Sequence, residues 1–429
     1  MRICFISRRY FPAVSGMSVY ARNLTKALAE AGHDVVMISQ YREDPTGVRI
    51  YGGGPPPDEP WMEVHGLRSV GEEKGAENPP ADFEHDTRVM VEKALELHAV
   101  KPFDVVHAQY AYPTGLAALE VSRRLGIPNV VSIQGGDGHW VGGCCKTHQL
   151  AMDAVLDHTM GLIIGCDSFR EEVIENHGTA AERFTIIPGA TNTQQFRPRG
   201  MAHRRLSGFA ERIADRPVRL LYHGRVDRRK GSLDFIQVGK NLLDEGYEVE
   251  LVVSGIGPDY DATLDLAREL GIGDRTHFLG EAAYDVAHHR YAEGDIFLSP
   301  TYAEGFSNTI LEAMATGLPT VSTNSVGVRD CLRDGENGLL TEPGDVAALT
   351  AATRRLLDDP QLCYRLAHNA HREVNTKYSW PVVAGQIADL YAELQNQPAN
   401  HAWTSFITTD DTVAEADLTC RFRTQPHLL

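Results

Sequence analysis

Ser299-Pro-Thr-Tyr-Ala-Glu304-Gly-Phe-Ser307-Asn-Thr-Ile-Leu-Glu312-Ala-Met-Ala-Thr-Gly317-Leu-Pro319 is the stretch that decides how this chain is read. An apolar strand, Ile296 to Ser299, runs into a loop bearing Glu304 and Gly305, and Ser307 stands where the N-cap of a helix belongs. Gly317 closes that helix. The N–H groups of Asn308, Thr309 and Ile310 then point out of the helix start with the positive end of its dipole behind them, which makes a phosphate site. Glu304 lies in the loop beside it, whereas Glu312 lies more than a turn down the helix, so the two acids must have different tasks. A carboxylate this close to a diphosphate is repelled unless it hydrogen-bonds hydroxyls or faces developing positive charge, and a sugar nucleotide offers both.

The strand that enters this loop is one of a series. Arg219 to His223, Val249 to Ser254, Thr276 to Leu279, Ile296 to Ser299 and Pro319 to Ser322 are short apolar runs separated by amphipathic segments. The first half has the same scheme, with Ile3 to Ser7, Val35 to Ser39, Val105 to His107, Val130 to Ile133, Leu162 to Gly165 and Phe184 to Ile187. Such alternation predicts two α/β units, each a doubly wound parallel sheet covered on both faces. The 429 residues also exceed what one core usually serves. The turn-rich stretch Pro188 to Pro198 is the expected hinge. The domains expected are 1–198, 199–376, a helix over 377–395 that crosses back to the first domain, and a polar tail over 396–429. The crevice outside the carboxyl ends of the strands is the expected active site.

Two further motifs fall at strand ends. Tyr222-His-Gly224-Arg225-Val-Asp-Arg-Arg-Lys230-Gly231-Ser232 follows the first strand of the second unit, and Arg225 and Lys230 can reach a diphosphate, one by its planar fork and one as a point charge. Pro12-Ala-Val-Ser-Gly16-Met-Ser18 follows the first strand of the chain; Gly16 permits close backbone approach at a helix start, and Ser18 is the expected cap. No GxGxxG is present, and Gly255-Ile-Gly257 reads as a generic tight turn.

Composition narrows the partners. A formal charge of -17, from 41 basic and 58 acidic residues, argues against nucleic acid as a bulk partner. The start, Met1 to Ser7, is too short and too soon followed by Arg8 and Arg9 to read as a signal peptide, and no apolar run reaches membrane-spanning length. A cytoplasmic protein is expected, with any membrane contact peripheral. Seven cysteines without a CxxC pair, the adjacent Cys144 and Cys145 among them, read as reduced and inert thiols. Residues 52–86, rich in Pro, Gly and acids from Asp58 to Asp86, read as a solvated surface loop or, functionally, as an element that helps select the acceptor.

These motifs resemble glycosyltransferase family four, a large group of retaining GT-B enzymes, over the chain to about residue 394. The most specific element is the pair of glutamates, Glu304 and Glu312, with seven residues between them. The resemblance implies the GT-B fold, two Rossmann-like domains facing a central cleft. It also implies transfer of a sugar from a nucleotide diphosphate, a UDP-sugar by family frequency, to a glycan, lipid-linked or small-molecule acceptor. Glu304 would contact the donor sugar, Glu312 the ribose hydroxyls, and Arg225 and Lys230 the diphosphate, with Gly16 on the phosphate side of the first domain. Gly305, Phe306, Ser307, Asn308 and Thr309 complete the donor site, and Phe278-Leu-Gly280 lies by the base.

The chain departs from the family pattern in Ser132-Ile-Gln134-Gly-Gly-Asp137, where Gln134 occupies the position of a catalytic-site histidine. Asp137 or His139 would compensate, with Asp137 preferred as the catalytic group. His107, Gln134, Gly135 and His139 are the candidates for sugar or acceptor contacts, His107 reading equally well as a satisfied buried histidine. No cofactor and no metal is expected, since no DxD lies in a loop suited to hold an ion. The rival readings are a sugar-nucleotide epimerase of the same architecture and an inactive nucleotide-sugar-binding protein.

Overall fold

The structure, a computed structural model, describes residues 1–41, 54–69, 83–143, 146–199, 216–398 and 402–403. Cys144, Cys145 and Cys420, the 70–82 part of the acidic stretch and the tail beyond 403 lie outside the described residues. The chain forms two compact units, Met1–Pro188 together with the stretch from Val383 onward, and Gly189–Val382.

The first unit is built on β1 (Arg2–Ser7), β2 (Asp34–Tyr41), β3 (Glu63–Arg68), β4 (Val105–Gln109), β5 (Asn129–Ile133), β6 (Gly161–Ile164) and β7 (Phe184–Ile186). They form one parallel sheet in the order β3-β2-β1-β4-β5-β6-β7. Its central strands are apolar on both faces because helices cover both: Ile3, Phe5, Val36, Val106 and Val131 have no exposed surface. The helix Trp380–Leu394 brings Tyr391 to this unit's His107 and lays Leu394 against Gly161.

The second unit repeats the design with β8 (Val218–His223), β9 (Val249–Ser254), β10 (Thr276–Gly280), β11 (Ile296–Ser299), β12 (Thr320–Thr323) and β13 (Leu339–Thr341), all parallel in the order β10-β9-β8-β11-β12-β13. Leu220, Leu251, Val253, Leu298 and Val321 meet Phe235, Ile236 and Leu349 from flanking helices in its core. In both units the first strand is central and chain order reverses beside it, so each sheet has a topological switch point, at β1/β4 and at β8/β11.

Two strands escaped the sequence reading. β3 lies in the stretch read as a loop, and it is an edge strand with no fully buried residue, so it lacks the continuous apolar run of a central strand. Nor is that stretch wholly solvated. Glu59 is buried, accepts from the Tyr10 hydroxyl at 2.9 Å and pairs with Arg22 at 3.1 Å. β13, only three residues long, is the edge of the other sheet. Among the described residues no helix is long and apolar enough to cross a membrane.

Candidate active site

At the second switch point β8 pairs with β11 through Leu220–Ile296 and Leu221–Phe297, and the loops that leave these strands carry Arg225 to Lys230 and Glu304 to Ser307. Backbone contact locks the loops together. A Cβ on Gly231 would lie 2.0 Å from the Pro300 carbonyl oxygen, and one on Gly255 would lie 1.8 Å from that of Gly224. Only glycine permits either approach. The Gly255 turn therefore braces the Arg225 loop, with Gly224 N–H donating to Ser254 and Val226 N–H to Ile256, both at 2.9 Å, and Gly255 N–H donating to the Gly280 carbonyl at 2.8 Å.

The charged side chains of these loops are paired. Lys230 Nζ lies 2.8 Å from Glu304 Oε2 and donates to the Ala303 carbonyl at 2.8 Å. Thr301 Oγ1 donates to the other Glu304 oxygen at 3.3 Å. Arg225 Nε lies 3.4 Å from Asp227 Oδ2, which also takes Arg229 Nη2 at 2.9 Å. Burial works to raise the Asp227 carboxyl, but hydrogen bonds from Arg229 and the charge of Arg225 bring it below the usual carboxylate range. The Tyr222 hydroxyl fixes the Arg225 backbone by donating to its carbonyl at 2.6 Å.

The helix Asn308–Thr316 starts beside these groups and ends on Gly317 in the left-handed conformation. Ser307 occupies the N-cap position, but its side chain does not bond the first-turn amides; its Oγ lies 3.4 Å from Thr309 Oγ1 instead. Gly305 is buried, and the Phe306 ring packs on Tyr378 with centroids 5.5 Å apart. Glu312 is buried and accepts from the Tyr291 hydroxyl at 2.6 Å; burial pushes its carboxyl up to about 7 against the opposing pull of that bond. His223 stacks on Tyr291 at 4.8 Å, and burial with the nearby Arg290 presses its imidazole down to about 4, so it is neutral at neutral pH.

At the first switch point the helix Gly16–Glu30 follows β1. Its cap is Ser15, not Ser18. Ser15 and Ser18 form a reciprocal capping box in which Ser18 is the third helical residue. A Cβ on Gly16 or on Gly135 would meet nothing within 4 Å. Gln134, just beyond β5, is half-buried and accepts from Gln109 Nε2 at 2.7 Å.

Three candidate residues of this unit are held by internal contacts. Asp137 has no exposed surface and accepts backbone N–H groups from Ala111 at 2.9 Å, Gln134 at 3.1 Å and Gly135 at 2.8 Å. Burial raises its carboxyl to about 6 against those three bonds. It braces the turn after β5. His107 is equally enclosed, its ring nitrogens bonded to Tyr391 and, at 2.8 Å, to Ser132, and burial holds it neutral with a pKa near about 3. It is a satisfied core histidine. His139 meets Glu172 at 2.8 Å and packs on Phe169, which ties it to a neighbouring helix.

Comparison with known proteins decides the family. The glycosyl transferase 4-like domain matches residues 15–190, and the glycosyl transferases group 1 domain matches residues 204–373. The chain belongs to the group 1 glycosyltransferases. Glycogen synthase from Mycobacterium tuberculosis is 28% identical to this glycosyltransferase over 430 residues, covering 93% of the chain and 97% of that protein. Among solved structures, sucrose-phosphate synthase from Thermosynechococcus elongatus superimposes with a TM-score of 0.73 at 24% identity, over 92% of this chain and 98% of its own. Anabaena HepE, solved in complex with UDP, gives 0.69 at 18% identity over 92% and 100%. The glycosyltransferase has the two-domain, Rossmann-like GT-B fold of these neighbours.

The sequence reading passed over Asp227, Thr301, Tyr291 and His223. Tyr291 and His223 act through partners distant in sequence, whereas Asp227 and Thr301 pair within three residues, and the basic run around Asp227 offered a signal, an acid set among arginines.

Proposed function

We propose that this glycosyltransferase moves a sugar, with retention of anomeric configuration, from a UDP-sugar to a hydroxyl of a glycan, lipid-linked or small-molecule acceptor, in the cytoplasm and without a metal. The observation that carries the reading is the Lys230–Glu304 pair, 2.8 Å apart at the β8/β11 switch point beside Arg225 and the helix start at Ser307. The UDP held by Anabaena HepE favours uridine as the base.

In this reading the bond from the anomeric carbon to the β-phosphate oxygen breaks, and its electron pair leaves with the diphosphate. Arg225, Lys230 and the amides of the Asn308 helix start oppose the growing negative charge. The diphosphate takes over Lys230, which releases Glu304 to the sugar hydroxyls and to the positive charge developing on the ring. Glu312, deeper in the helix, serves the ribose hydroxyls. The acceptor hydroxyl attacks the same face, and its proton passes to the departing phosphate oxygen, so no separate base is required.

The test is a panel of nucleotide sugars with and without acceptors, run with and without EDTA, with product anomers identified by NMR. Transfer from a UDP-sugar with retention and no loss in EDTA is expected. An inverted product, dependence on a divalent ion, or conversion of the nucleotide sugar to its epimer without acceptor contradicts the proposal.

A further inference from the structure

Phe196-Arg197-Pro198-Arg199 runs beside the helix Tyr284–Glu293 in the second unit. Asn192 makes the turn that precedes it, its Oδ1 accepting the N–H groups of Gln194 and Gln195 at 3.1 Å. Gln195 Nε2 donates to the Tyr284 carbonyl at 2.8 Å, and the fully buried Phe196 ring packs on Tyr284 at 5.9 Å and on Tyr291 at 5.6 Å. Pro198 restricts Arg197 to extended backbone, so Arg197 and Arg199 leave the chain on one side and Phe196 on the other. Both guanidinium charges act there on His288 of the helix, whose ring lies 4.1 Å from that of His289.

These four side chains repel one another. Burial lowers the His288 imidazole, and the charges of Arg199, His289 and Arg197 lower it further, while the Asp285 backbone, near it but outside hydrogen-bonding geometry, acts the other way. Among the described residues neither arginine has a carboxylate within ion-pair distance, whereas the next cation along the helix, Arg290, meets Glu293 at 3.9 Å. His223 and Glu312, which face this helix from neighbouring elements, meet Tyr291 and not the histidines. Arg199 Nη1 and His288 Nδ1 are shielded from solvent, and neither has a hydrogen-bond partner among the described residues. Shielded nitrogens without partners and adjacent like charges are unfavourable until an anion meets them.

We propose that Arg197, Arg199, His288 and His289 form a second anion site, outside the β8/β11 loops, for the phosphoryl group of a small solute. Each guanidinium presents a planar fork of donors to tetrahedral oxygens, and each imidazole adds a donor when protonated. A flat lipid surface would reach the exposed Arg197 and His289 but not the two shielded nitrogens, which argues for a free ligand over a headgroup. An anion held there favours the imidazolium, so binding takes up a proton and tightens as pH falls. The proposal goes beyond glycosyl transfer and does not depend on it.

Sulfate is the probe, because it does not titrate near neutral pH. The full-length protein, its histidines labelled with 13C at Cε1, is titrated with sodium sulfate at constant ionic strength and followed by NMR. The signals of His288 and His289, assigned from His288→Gln and His289→Gln, should move saturably, with sulfate held about tenfold more tightly at pH 6 than at pH 8. Arg199→Gln should weaken sulfate by about tenfold or more and the exposed Arg197→Gln by about threefold, while Lys230→Ala should leave it unchanged. Shifts that grow linearly with sulfate, wild-type affinity in both R199Q and R197Q, or equal affinity at the two pH values would overturn the site. So would sedimentation with phosphatidylglycerol vesicles that R199Q abolishes, since the patch would then be a lipid contact.

Discussion

The two sheets share an arrangement around their first strand, yet they dress their switch points with different chemistry. At β8/β11 the loops bring Arg225, Asp227, Arg229, Lys230 and Glu304 together as ion pairs. At β1/β4 the strand ends carry Ser7, Gln109, Ser132 and Gln134, joined by hydrogen bonds without charge, and the nearby Arg8, Arg9 and Asp137 are buried. One fold thus offers an electrostatic site and a directional one. The first kind suits a diphosphate that gains charge as it departs; the second suits hydroxyls, which have direction but no charge.

Substitutions that attack the charged side should have the largest effect. Arg225→Ala should lower turnover by roughly 10²- to 10³-fold while weakening UDP binding less, because it opposes charge that grows in the transition state; steady-state kinetics set beside calorimetry separates the two. Glu304→Gln should fold normally and lose about 10- to 100-fold in kcat, the worth of a hydrogen bond to a charged group, as read in the same assay.

Effects on stability come next. Asp137→Asn would turn an NH2 toward backbone donors that now meet an oxygen, and about 1–3 kcal/mol of stability should be lost in denaturant unfolding. Glu312 tests the buried acid of the charged unit. Its carboxyl is raised from 4.5 to about 7 by burial, so the folded protein holds a proton the unfolded chain releases. The stabilisation is fully present below about pH 4.5 and lost as pH rises through about 7. Melting temperature should therefore decline less across that window in Glu312→Gln than in wild type.

The same contrast explains what could be read from the sequence. Central strands such as β1 and β9, buried on both faces, announce themselves as continuous apolar runs, whereas β3 and β13 at the sheet edges do not. That Arg225, Lys230 and Glu304 fall close together was legible from their places in the loops that leave β8 and β11. The neutral side was harder. Asp137 reads as a catalyst in a string of letters and His107 equally as a sugar contact or a core histidine, whereas both are completely buried and hydrogen-bonded within the unit. Ser18 for Ser15 is an error, since both members of a capping box carry a cap's side chain.

Titration calorimetry of Lys230→Ala with UDP and with UMP tests the central claim most directly, because the two nucleotides differ by one phosphate. Wild type should bind UDP at least about tenfold more tightly than UMP, and the variant should lose most of that difference while keeping its affinity for UMP. A variant that still prefers UDP by the wild-type margin would contradict the assignment of the β8/β11 loops as the diphosphate site.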